Sequence, residues 1–142
     1  MVDFSTLLRK PAGEAKKPKA LPAGVYEGII KTWQVGDQNK NRTPYVRFTC
    51  ALTSWPADLD ESNREGLDLT KRQPRQDYFL TDDALFRLDE LIRSCGIDPS
   101  GRQYEDVLPE LVGQTVQLEI VQYINQQTNE IGDQVRGMKG LA

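Results

Sequence analysis

Apolar and polar positions alternate most clearly in residues 45–53, YVRFTCALT, where Val46, Phe48, Cys50 and Leu52 take every second place. Successive side chains of a strand point to opposite faces. This set is therefore expected to face a core, with Tyr45, Arg47, Thr49 and Ala51 on the other side. Residues 24–35 read as a preceding strand, with Tyr26, Gly28 and Ile30 on one face and Glu27, Ile29, Lys31 and Trp33 on the other. A glycine inside a strand suits one that must coil sharply. Residues 76–80, 115–123 and 134–139 read as three more strands, and Val116, Leu118 and Ile120 alternate with Gln117, Glu119 and Val121 in the fourth. The polar stretches GDQNKNRT (36–43) and NQQTNEIG (125–132) carry turn chemistry.

The period changes in residues 81–95. Ala84, Leu85, Leu88, Leu91, Ile92 and Cys95 form one helical stripe, Thr81 or Asp82 is placed to cap it, and Gly96 is placed to end it in a left-handed conformation. Residues 104–111 read as a second, shorter helical piece ended by Gly113. Residues 54–74 form a long polar loop, of a length that is usually functional or disordered in a compact domain. Its Trp55, just before Pro56, is left unassigned. Tyr26, Phe48, Tyr78 and Phe86 are expected in the core.

Residues 1–23 differ from the rest. Arg9, Lys10, Lys16, Lys17 and Lys19 outnumber Asp3 and Glu14, and the stretch is rich in Pro, Ala and Gly. It is expected to be a flexible basic arm on a body formed by residues 24–142. Phe4, Leu7 and Leu8 have helical spacing, which gives the arm a means of docking on its own body or on a second copy of the chain. The arm's net charge is +3 while the whole chain's is −3, so the body carries −6. Any polyanion site must then be a local patch on an acidic surface.

The chemistry on offer is narrow. Histidine is absent, Cys50 and Cys95 stand alone, and no phosphate-loop, dinucleotide or nucleophile-elbow motif occurs. The two cysteines read as small buried hydrophobes. Neither a metal nor a cofactor is expected. Asp58, Asp60 and Glu61 are clustered carboxylates of the kind a nuclease or glycosidase would use, but their setting reads as a solvated loop. No apolar run is long enough to span a membrane or to serve as a leader, so the expectation is a soluble, cytoplasmic protein with no membrane partner.

Three strands, a helix and a two-stranded hairpin follow one another in the order of the five-stranded barrel that binds oligonucleotides and oligosaccharides. The expected fold is therefore mainly β, an OB-fold-like barrel with one helix between strands three and four. The segments LPAGVYEGII, YVRFTCAL, ALFRLDELIRSCGI, ELVGQTVQLEIVQY and DQVRGMKGL, within residues 20–142, resemble the small single-stranded-DNA-binding proteins of tailed bacteriophages. The resemblance implies a non-enzymatic binding barrel acting in phage DNA replication or recombination, in the host cytoplasm, without a cofactor. Proteins that coat single strands often end in an acidic tail that recruits partners. This chain ends GMKGLA, so recruitment by that route is not expected.

Single-strand binding needs cations along the phosphates and aromatic faces for the bases. Lys31 with Trp33, and Tyr45 with Arg47, supply both on the outward faces of the first two strands. Lys40 and Arg42 lie in the turn between them. Lys71, Arg72 and Arg75 close the long loop, and Tyr123 and Arg136 flank the last hairpin. The competing reading is a protein-interaction barrel, such as a replication accessory or a host-factor inhibitor, with no affinity for nucleic acid. The acidic body favours it.

Overall fold

A computed structural model describes residues 8–9 and 19–141. Among them are five strands, β1 (Gly24–Gly36), β2 (Tyr45–Ser54), β3 (Arg75–Phe79), β4 (Thr115–Ile124) and β5 (Ile131–Gly140), in one antiparallel sheet of order β3-β2-β1-β4-β5. The fold is mainly β, and the sheet is open, with β3 and β5 as its edges. Two α-helices, α1 (Leu85–Ser94) and α2 (Tyr104–Leu111), separate β3 from β4. The barrel reading counted one helix there, and the second, shorter piece read at residues 104–111 is present beside it as a full helix that buries Val107, Leu108 and Leu111. Tyr104 joins the two, its hydroxyl donating to Asp89 Oδ1 at 2.6 Å.

The inward set of β2 is as the alternation predicts. Val46, Phe48, Cys50 and Leu52 are all buried, in one cluster with Tyr26, Ile30, Tyr78, Leu88, Leu91 and Ile92. Both cysteines are free and buried, and burial pushes the Cys50 thiol up to about 12.

Three β-bulges shape the sheet. Ile30 pairs with Cys50 but Thr32 with Thr49, which leaves Lys31 as an extra residue in β1. Thr53 is the extra residue in β2 and Arg136 the one in β5. Each bulge bends its strand and strengthens the local twist. The bulge at Lys31 also reverses the facing of everything after it. Trp33 now pairs with Phe48 and packs against the core, half-buried, rather than sharing an outward face with Lys31.

The helix ends differ in how well they follow expectation. Gly96 adopts φ +81°, with Gly96 N–H donating to Arg93 O and Ile97 N–H to Ile92 O, a Schellman stop that seats Ile97 on the core. The start is not where the capping signal put it. Helix α1 begins at Leu85 after Ala84, with no side-chain cap, and Thr81 only closes the turn before it. Phe86 falls outside the buried stripe and is 54 % exposed, contrary to its expected place in the core.

The long loop is structured. Asp60 and Asp68 cap two short 3-10 turns, Glu61–Arg64 and Leu69–Lys71. Leu69 is buried, Trp55 and Leu67 pack on the core, and the Trp55 ring lies 5.9 Å from that of Tyr26. The loop therefore covers one end of the sheet, and Asp60 serves as a cap in it. At the other boundary, the core begins before residue 24. Leu21 is 2 % exposed, its N–H donates to Asp133 Oδ2 at 2.8 Å, and its carbonyl accepts from Gln122 Nε2 at 2.9 Å. The body thus includes residues expected in the arm. Of the arm's apolar trio, Phe4 and Leu7 lie outside the described residues, and Leu8 is exposed.

Strand β5 ends against helix α1. Gly140 N–H donates to Ser94 Oγ at 2.7 Å, and a Cβ at position 140 would stand 2.5 Å from the Ser94 carbonyl oxygen. That neighbour is backbone and cannot swing aside. Gly140→Ala is expected to lower stability by about 1–3 kcal/mol, the usual penalty of overpacking. A urea titration checks this, and an unchanged midpoint would show that strand and helix are not in this close contact.

Candidate nucleic-acid interface

The outer face of β1, β2 and β3 carries three cross-strand rows. Gly36, Tyr45 and Phe79 form the first, Gln34, Arg47 and Asp77 the second, and Thr32, Thr49 and Arg75 the third. Side chains directly opposite one another on neighbouring strands touch, so each row acts as a unit.

The first row is aromatic. Tyr45 lies over Gly36, whose position a Cβ would fill at 2.9 Å from the tyrosine hydroxyl. The Arg47 guanidinium covers the same ring, 5.0 Å from its centroid. Tyr45 is consequently 5 % exposed and is not the open stacking platform its outward position predicted. Phe79, in the same row, is exposed. In the second row Arg47 donates to both oxygens of Asp77, at 2.7 and 3.0 Å. These hydrogen bonds hold the guanidinium charged more firmly than usual. They also neutralise it, so Arg47 offers less to a phosphate than its type suggests.

The loops beside this face are ordered by asparagines. Asn39 accepts from the N–H of Asn41 and of Thr43 and donates to the Thr43 carbonyl, so the β1–β2 loop holds Lys40 and Arg42 outward. Arg42 sits at φ +53°, a conformation uncommon for a side chain of its size. Asn125 accepts from Gln127 and Thr128 N–H at the β4–β5 hairpin. On that hairpin the Tyr123 ring lies on Gly132, while the residue is 46 % exposed and Ile124 and Ile131 are exposed beyond it. With only a glycine beneath its hydroxyl end, the ring stays close to half exposed.

Between the edges β3 and β5 lies a cavity of about 480 Å3, lined among others by Arg47, Arg75, Asp77, Asp133 and Gln134. It brings together residues from both ends of the sheet order. Arg72, expected to meet phosphates, is instead committed to the fold: it pairs with Asp133 at 3.3 Å and donates to the carbonyl of Lys19. Arg136 is paired with Glu119. Among the described residues, Lys31, Lys40, Arg42, Lys71 and Arg75 are exposed and engaged in no ion pair.

The expected site residues thus divide. Arg47, Arg75, Lys40, Arg42 and Tyr123 border the β2–β3 face or its flanking loops. Lys31 stands on the bulge and Lys71 at the end of a 3-10 turn. Trp33, Tyr45, Arg72 and Arg136 are held in other roles. Phe79 was overlooked, although alternation from the buried Tyr78 could have placed it outward. Among the described residues no group of His, Cys, Asp or Glu is arranged to hold a metal, and no helix is long and apolar enough to cross a membrane. No protein-family model matches the chain, and no curated protein matches it in sequence.

Proposed function

We propose that the chain binds single-stranded DNA with low sequence specificity, along the outer face of β2 and β3, in phage DNA replication or recombination. The observation that carries this reading is the occurrence of exposed rings and of cations in no ion pair along the outer face of the sheet and its two loops, with Lys40, Arg42 and Phe79 at the β1–β2 end and Tyr123 at the β4–β5 end. Lys40, Arg42 and Arg75 supply charge, and Phe79 and Tyr123 supply rings. Stacking tolerates any sequence because every base has a π face.

The strand order supports it. In the OB-fold barrel, β1 pairs with both β2 and β4, and the ligand crosses strands two and three between the loops joining strands one to two and four to five. The sheet has that pairing, its two edges line one cavity, and its three bulges supply the coiling that closure requires. We read the fold as an OB-like barrel whose seam, between β3 and β5, is open.

A second reading, a protein-interaction barrel without DNA affinity, is favoured by the net charge of −3 and by the ion-paired state of Arg47, Arg72 and Arg136. A salt titration of oligo-dT binding, followed by fluorescence anisotropy, separates the two. We expect binding at low salt, with log affinity falling against log salt by about 0.7 per phosphate contact. Few free cations imply a shallow slope. No binding of the full chain at low salt sinks the DNA reading and leaves the protein-interaction barrel.

A further inference from the structure

A second cavity, of about 670 Å3, lies beside the first between α1, β3 and β5. Gln76 lines both, so the two adjoin at that residue beside the open seam. The second has an apolar floor, with Tyr78, Leu91 and Met138 in its lining, and its charged residues are Arg87, Arg136 and Lys139 against Glu90 alone. That is a local excess of cations on a chain whose body is acidic. Arg136 is held by Glu119, but Arg87 and Lys139 are exposed and engaged in no ion pair among the described residues.

Phe86 borders this cavity, 54 % exposed, with the Arg87 guanidinium 5.7 Å from its ring centroid. Helix α1 is anchored by Leu88, Leu91 and Ile92, so packing does not require an aromatic at position 86. A lone exposed apolar residue is ordinary. A ring with a free arginine beside it, on a cavity that also holds Lys139 and shares Gln76 with the cavity at the β2–β3 edge, is a combination suited to a nucleotide: a π face for the base and positive charge for its phosphate.

We propose that this cavity is a second single-strand subsite. A strand leaving the β2–β3 face passes Gln76, stacks one base on Phe86, and sets the adjoining phosphates against Arg87 and Lys139. The proposal rests on the DNA-binding reading and extends its track across the seam to the helical side. An acidic peptide with an apolar side chain has related chemistry, but the wall shared with the first cavity at Gln76 favours the nucleic acid.

The test uses the full chain and a length series of dT oligonucleotides. In Phe86→Ala and in Lys139→Ala, affinity for the shortest oligonucleotide bound is expected to stay that of the native chain. Affinity for the longer ones should fall by about five- to a hundredfold in Phe86→Ala, the loss of one stacked base. Lys139→Ala should lower the salt slope on the longer ones by about 0.7. Both residues are exposed, and unchanged thermal melts would exclude a folding defect. A length dependence identical to the native chain's overturns the subsite while leaving the β2–β3 face intact. The same outcome, with a glutamate- and phenylalanine-containing peptide that binds the native chain but not Lys139→Ala, reassigns the cavity to a protein partner. Failure of the native chain to bind any dT oligonucleotide removes both readings.

Discussion

Phe48→Ala is expected to lower the free energy of unfolding by about 3–5 kcal/mol, the range for truncating a well-packed aromatic to alanine. Phe48 is fully buried near the middle of β2. It pairs with Trp33 on one side and Gln76 on the other, and its ring meets Tyr78 edge-on, at 5.7 Å and 72°. Truncation would remove the contacts of two aromatic neighbours and leave a cavity that two flanking strands, held in register, cannot collapse to fill. Domains of this size are stable by only about 5–15 kcal/mol. The loss would therefore show as a large drop in the urea midpoint. A drop of under about 1 kcal/mol would mean that Phe48 does not face the core and that β2 is one residue out of register.

That register was readable because β2 alternates without interruption over eight residues. Helix α1 was readable for a similar reason, since one stripe and one glycine decide both its face and its end. The candidate site was less legible, and the reason is specific. In KTWQV the phase carried on from Tyr26 and Ile30 would put Thr32 and Gln34 on the core side and Trp33 and Val35 outside, which hints at a change of phase, but nothing local shows that Lys31 is the inserted residue. Only pairing with β2 fixes this, and pairing is a property of two strands. The Arg47–Asp77 pair joins positions thirty apart in the chain, and the Arg72–Asp133 pair positions sixty-one apart. Composition counts such arginines as free cations, and the fold has already used them. Leu21 was assigned to the arm because Pro and Ala surround it, whereas its anchors, Gln122 and Asp133, come from the far end of the sequence.

Tyr123→Ala is expected to weaken oligo-dT binding by about 1–3 kcal/mol, the contribution of one stacked base, with the salt slope nearly unchanged. The residue is 46 % exposed and its ring rests on Gly132, so it is accessible to a base. Its removal exposes little that was buried, and the melting temperature should move only slightly. Trp33→Ala makes the opposite pairing of effects. Trp33 packs on the core across from Phe48, so its truncation should reduce stability first and affect binding only as the fold loosens. The two variants together decide which face of the sheet meets DNA. Weak binding with a native melt in Tyr123→Ala, and native binding with a lowered melt in Trp33→Ala, place the strand on the outer face beside the β4–β5 hairpin. The reverse result would mean that the bulge at Lys31 does not turn Trp33 inward, and that the stacking platform is the tryptophan after all.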